Sequence, residues 1–188
     1  GIDKVFREDR PFRGQIGGTL RVELAADEYE GVQLVLRAKR TLHNVRVSVG
    51  RLESEDGAMI DPDRIEVLPV GYVNTKRPPY EVDYVGWWPD PLLDYLDVFD
   101  LDAGVWQPVW LDVHTRPEQR PGTYRGTVRV TADGVEPLLV PLEVHVWNFA
   151  VPVEYHLPLA VVFSEGKVPW LYGKGDEEGK RQYTAYCE

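Results

Sequence analysis

Cysteine and methionine are nearly absent: Cys187 and Met59 are the only ones in 188 residues. A lone cysteine closes no internal disulfide and builds no cysteine-based zinc cluster, so neither supports the fold. No stretch approaches the ~18 consecutive apolar residues of a membrane-spanning helix. Positive charge is scarce too, with 21 Lys and Arg against 31 Asp and Glu and a formal net charge of −10. That balance argues against nucleic acid, whose phosphates call for a Lys/Arg stripe. The histidines His43, His114, His145 and His156 follow no metal-ligand spacing. None of Ser48, Ser54 and Ser164 lies in a G-x-S-x-G elbow. Gly14-x-x-Gly17-Gly18 precedes a strand pattern, whereas a phosphate-cradling loop precedes a helix. No cofactor or metal is therefore expected. No signal-peptide pattern opens the sequence and Gly1 is not an initiator, so the start reads as processed or cloned. Secreted, periplasmic and cytoplasmic locations all stay open.

What the sequence does hold is a period of two. Leu20, Val22 and Leu24 alternate with polar residues, as do Val32, Leu34 and Leu36, and Val45, Val47 and Val49. Tyr124, Val128 and Val130 repeat the pattern, and Leu138, Val140, Leu142, Val144 and Val146 form the longest row. Each run reads as a strand with one buried and one wet face. Ile65–Val70 and Val105–Val113 are further strands, the second apolar on both faces and expected to be covered on both. Asp133-Gly134 marks a hairpin, Pro121-Gly122 a type II turn, and Gly17-Gly18 the end of a leading loop. Hydrophobic residues make up 43% of the chain, enough for a core without staples. Roughly seven strands and no long amphipathic helix define an all-β fold, a two-sheet antiparallel β-sandwich of immunoglobulin or fibronectin type.

Two stretches fall outside that sandwich. Asn74 to Gly104 reads as one long connection, rich in proline and aromatics and in need of a packing partner. After Pro152, the apolar run Leu157–Phe163 and the polar segment with Glu177, Glu178, Lys180 and Arg181 read as a strand and a helix start. The expected division is residues 1–153 for the sandwich and 154–188 for the opening of an α/β barrel cut short. Left without its partners, the Leu157–Phe163 run is expected to bury itself, giving a tail-mediated homo-oligomer or a fold-back onto the sandwich.

Few residues carry chemistry. The acidic run Asp94, Asp97, Asp100 and Asp102 lacks the ligand register of a calcium loop and reads as solvated. The adjacent acids Glu8-Asp9, Asp27-Glu28, Glu55-Asp56 and Asp176-Glu177 fall in or beside polar turns or in the tail, away from any pocket that glycoside chemistry would need. The loop from Tyr80 to Trp88, flanked by Asp83 and Asp90, is different. Indole and phenol rings cover the apolar face of a sugar while carboxylates accept its hydroxyl protons. Tyr80, Tyr84, Trp87, Trp88 and Asp90 are the candidate sugar-contact residues. The opposing reading buries Trp87 and Trp88 under the loop or against a neighbouring domain.

Several segments together resemble a known family. Asp27-Glu28-Tyr29-Glu30-Gly31-Val32-Gln33-Leu34 is similar to the "N-E-x-E-x-x-Q-L" strand in the N-terminal domain of glycoside hydrolase family 123-like proteins. Trp88-Pro89-Asp90-Pro91-Leu92 resembles their "PDPL" loop. Gln107-Pro108-Val109-Trp110, followed by Pro121-Gly122-Thr123-Tyr124-Arg125-Gly126, resembles their "QP-x-W … P-G-x-Y-x-G" pair. Pro141 to Pro152 followed by Leu157-Pro158-Leu159 looks like their exit into the catalytic barrel. Asp27 stands where the family commonly has Asn, and both suit a turn.

The resemblance implies a β-sandwich ahead of a (β/α)8 barrel acting on terminal β-linked N-acetylgalactosamine by substrate-assisted hydrolysis. Its Asp-Glu catalytic pair belongs to the barrel, so no catalytic residue carries over to this chain. The partner implied is the C-terminal catalytic barrel, with a glycan as ligand. Rival readings are an autonomous carbohydrate-binding module built on Trp87 and Trp88, and a cell-surface adhesion or spacer module.

Overall fold

Alternating side chains become strands here because each row can bury its apolar half against a second sheet. The structure, a computed structural model, describes residues 4–7, 13–152, 154, 177, 178 and 181. The chain divides into two compact units, Gly1–Pro152 and Val153–Glu188. In the second, Glu177, Glu178 and Arg181 are helical; the run Leu157–Phe163 lies outside the described residues.

The first unit carries β1 (Leu20–Ala26), β2 (Tyr29–Arg37), β3 (Leu42–Val49), β4 (Leu52–Ser54) and β5 (Met59–Ile60). A 3-10 turn at Pro62–Arg64 leads into β6 (Ile65–Asn74). Then come β7 (Trp87–Leu92), β8 (Phe99–Leu101), β9 (Trp106–His114), β10 (Gly122–Thr131) and β11 (Leu138–Ala150). One sheet runs β1-β11-β10-β3-β8, with β4 on β10 and β5 on β4; the other runs β2-β9-β6-β7. The named strands pair antiparallel except β1 with β11, and an isolated parallel bridge joins Ala38 to Ala103. The all-β sandwich is therefore observed, with one parallel pair.

The inner rows meet as their periodicity requires. Val109, Leu111 and Val113 of β9 face Tyr124, Val128 and Val144, all fully buried. The Tyr124 hydroxyl donates to Arg120 O at 2.6 Å, a tie back to the preceding chain that pins the β9–β10 corner. At Gly126 an added Cβ would collide with Leu52 and come within 2.9 Å of Arg51 O. Close packing of β10 on β4 depends on that missing methyl.

Four strands escape the period-two reading. β4, β5 and β8 are two or three residues long, too short to show a period. β7 contains Pro89 and Pro91, which suit it to the sheet edge it occupies, where one side of the backbone needs no partner. So Asn74 to Gly104 is not one loop: β7 closes a hairpin with β6, and β8 crosses to pair with β3 in the other sheet. The outer face of β9 also departs from expectation, being only half-covered at Trp106 and Trp110. Both indoles lie down on their own sheet, Trp106 under the Arg37 guanidinium at 4.6 Å. The hairpin at Asp133-Gly134 is present, but pairing stops at Val130 and Leu138, so its loop is wider than two residues. Gly122 has φ 141°, and so departs from the type II value of about 80°.

Register also fixes the two ends of the sandwich. β1 and β11 finish together, Ala26 beside Ala150, and the turn Asp27-Glu28 carries the chain into β2. Thr115 holds this end, its hydroxyl donating to Ala25 O at 2.8 Å. β6 runs the other way, and its ladder with β9 stops at Pro69 and Val109. Pro108 has no N–H to continue it, and the Gln107 side chain donates to Val70 O instead, at 2.9 Å. Beyond that point the β6–β7 hairpin projects as an arm from the end opposite to the Asp27-Glu28 turn.

Candidate functional site

The arm holds every sugar-contact candidate from the sequence. Its tip is clasped at the base, where Thr75 N donates to Gly86 O at 2.8 Å and Gly86 N to Thr75 Oγ1 at 3.1 Å. Tyr80 on the tip is 69% exposed, Trp87 42%, and Asp83 and Asp90 face solvent. Tyr84 and Trp88 are half-buried. Phe6 meets both rings edge-on, at centroid distances of 4.7 and 5.3 Å, and Tyr84 lies 5.9 Å from Trp88. The five candidates thus separate into an outward set, Tyr80, Trp87 and Asp90, and a packed pair.

The packing partner is the chain's own leading segment. Tyr72 donates its hydroxyl to Val5 O at 2.9 Å, and Lys4 Nζ donates to Pro89 O at 3.3 Å. The Arg7 guanidinium lies over the rings of Tyr72 and Trp87, 5.6 and 5.9 Å from their centroids. Burial pushes the Tyr72 phenol up to about 12, against the pull of Arg7. One face of Trp87 is consequently in use as a cation bed.

The other carboxylates have local work. Glu28 accepts the Ala25 N–H at 2.6 Å, and Asp27, at φ 60°, lies 3.9 Å from His114 Nε2. Asp56 accepts from the Ser54 hydroxyl, which with the Ala58 N–H holds it below the usual carboxylate range. Glu55 pairs with Arg125 at 3.4 Å. Glu8, Asp9 and Asp176 lie outside the described residues. In the acidic run, Asp100 takes the ring of His43 at 2.9 Å and the Asn44 N–H at 3.0 Å. The His43 bond, followed by the Asn44 N–H, lowers the Asp100 pKa, and the same bond raises that of His43. Asn44, at φ 56°, is the extra residue of a bulge in β3, and its amide donates to Asp133 at 2.6 Å. That knot ties the β8 edge and the β10–β11 loop to β3. Among the described residues no three His, Cys, Asp or Glu side chains gather as a metal site. Nor is any helix there long and apolar enough to cross a membrane.

A concavity of about 1620 Å³ lies away from the arm tip, at the open seam beside β2. Leu34, Leu36, Leu42, Val130 and Val140 line it. Arg21, Arg37, Glu30, Glu136, Trp106 and Trp110 also border this opening between the sheets.

Sequence reasoning passed over Tyr29 and His114. Their rings stack at 3.8 Å and 4°, on the outer face of the β2–β9 pair. Only the strand register puts them side by side, 85 positions apart in the chain.

Two sheets, a tyrosine tie at the corner and an open rim define an all-β, two-sheet β-sandwich. The model of the glycoside hydrolase 123 N-terminal domain matches residues 26–132, more than half of the chain, which therefore belongs to that family. A family 123 glycoside hydrolase from Clostridium perfringens, studied for glycolipid glycan hydrolysis, shares the fold with a TM-score of 0.59 at 19% identity. The match covers 71% of this chain and 24% of that one. The periplasmic chaperone SfaE (TM-score 0.37, 10% identity, 72% of this chain and 58% of that) is more distant. So is the fimbrial subunit MyfA from Yersinia enterocolitica, solved with galactose (TM-score 0.37, 16% identity, 70% and 93%). No curated protein matches.

Proposed function

We propose that this chain is the non-catalytic N-terminal module of a family 123-type glycoside hydrolase, and that it supports the catalytic barrel. The observation that carries the proposal is the family match over residues 26–132. Coverage of only 24% of the Clostridium perfringens enzyme leaves most of such a protein to other domains. The adjacent carboxylates described here are spent on turns and ion pairs, which fits a module without acid–base chemistry. By family analogy the parent acts on terminal β-linked N-acetylgalactosamine of glycans, and residues 154–188 open its barrel. The test compares the whole parent enzyme with a version lacking residues 1–152. Lower soluble yield and a lower melting temperature on deletion are expected; an equally stable, equally active remainder would end the support role.

A second reading, in which the arm completes one wall of the sugar site, is favoured by the exposure of Tyr80 and Trp87. Tyr84 and Trp88 would then brace the arm, and Asp90 would accept sugar hydroxyls. On that reading Tyr80→Ala and Trp87→Ala in the parent raise KM and leave kcat alone. An unchanged KM in both variants refutes it.

A further inference from the structure

The outer face of the four-stranded sheet near the Asp27-Glu28 turn carries a second row of rings, and strand register dictates its layout. Tyr29 pairs with His114, Gly31 with Asp112, and Gln33 with Trp110. Val32, Leu34, Val109, Leu111 and Val113 of the same strands point into the core, so the pairs named first share the outer face. Gly31 has no Cβ, and one built there would collide with the indole of Trp110. The indole therefore lies across the Gly31 backbone, an aromatic side chain covering an edge-strand glycine. Two residues back along β2, roughly 7 Å by strand rise, the Tyr29 ring lies flat on His114. Arg64 Nη1 approaches His114 Nδ1 at 3.4 Å, and Asp27 lies 3.9 Å from Nε2, so the imidazole is a fixed bed. Tyr29 itself stays 61% exposed.

Beside these rings two carboxylates oppose each other directly, Asp112 on β9 and Glu66 on β6. Like charges opposite one another weaken a ladder. No described cation pairs with either, which is a local cost that packing does not explain.

We propose that this face is a glycan-contact site, with a neutral pyranose chain lying across Tyr29 and Trp110 and donating hydroxyl protons to Glu66 and Asp112. Two ring surfaces about one to two sugar lengths apart suit consecutive units, and each covers the apolar face of one. Unneutralised carboxylates on a chain of net charge −10 favour hydroxyl donors and repel phosphate, sulfate or sialic acid. Because the rings are already held by Gly31, His114 and Arg64, little side-chain order is lost on binding. The site is separate from the arm, and it would survive failure of the barrel-support role.

The test is calorimetric titration of the 188-residue protein with cellotetraose, with a neutral N-acetylgalactosamine-terminated tetrasaccharide and with its sialylated counterpart. At least one neutral tetrasaccharide should bind and the sialylated one more weakly. Tyr29→Ala should weaken binding about tenfold, Glu66→Gln with Asp112→Asn should weaken it without loss of fold by circular dichroism, and Trp87→Ala should leave it unchanged. Absence of binding by both neutral sugars overturns the proposal, as does binding indifferent to Tyr29→Ala. Loss of binding in Trp87→Ala alone would move the site to the arm. If Tyr29→Ala instead loosens the whole parent enzyme and spares sugar binding, the face is a domain interface and the proposal is wrong.

Discussion

Strand β9 of one sheet, with β10 and β11 facing it from the other, and the β6–β7 arm are all antiparallel structure, yet they are held by different forces. In the first, Val109, Leu111, Val113, Tyr124, Val128 and Val144 are sealed from solvent, so stability comes from burial shared across two sheets. In the arm, Val73, Val82, Val85 and Trp87 remain more than two-fifths exposed. Order there rests on the Thr75–Gly86 clasp and on Lys4 to Arg7 lying against it. The difference teaches where change is tolerated. The core strands set the fold, while the arm can alter its face at small cost to the whole.

The sharpest way to break that contrast is to empty the core. Leu111→Ala should cost about 2–5 kcal/mol in a urea titration, whereas Trp87→Ala should cost less than about 1 kcal/mol. Similar losses in both would mean that the arm is part of the cooperative unit. A smaller core effect is expected at Gly126. Gly126→Ala must displace Leu52 and press on the Arg51 carbonyl, a strain of about 1–3 kcal/mol; a neutral result would show that β4 is loosely held. In the arm, Phe6→Ala removes two edge-on ring contacts worth about 0.5–1.5 kcal/mol each. Limited proteolysis should then cut sooner between residues 76 and 85 while the global melt barely moves. An unaltered cutting rate would mean that the leading segment does not order the arm.

The smallest effect belongs to the exposed His43–Asp100 pair, whose mutual bond raises one pKa and lowers the other. A raised histidine gives stability that is full below its ordinary value of 6.5 and fades as pH rises through the folded value. A lowered aspartate gives stability present above its ordinary 3.8 and lost in acid. Hydrogen exchange of the β8 amides, corrected for the intrinsic pH dependence, should therefore be slowest between those limits and faster at alkaline pH. His43→Gln should remove the alkaline change.

Much of the sandwich is legible in the sequence because burial on one face writes itself as alternation: Leu20 to Leu24, Val45 to Val49 and Leu142 to Val146 turn inward as their period demands, whereas Leu138, at the open start of β11, stays 55% exposed although it belongs to the same alternating row. The arm is not, because Pro89 and Pro91 disguise β7 and because its partner, Phe6, is distant in the chain. The same distance hides Tyr29 on His114 and Asp112 opposite Glu66. A period reports which face is buried, but only register reports which residues meet. Candidate residues in the arm were visible as an aromatic cluster. That Tyr84 and Trp88 pack inward while Tyr80 and Trp87 face outward depends on where Lys4 to Arg7 lie.

The central proposal is that this chain supports a following domain and leaves hydrolysis to it. It is tested most directly by assaying the purified 188-residue protein and the whole parent enzyme side by side on an aryl β-N-acetylgalactosaminide. The account predicts product release by the parent and none by the 188-residue protein. Enzyme-dependent release by the 188-residue protein itself would contradict it.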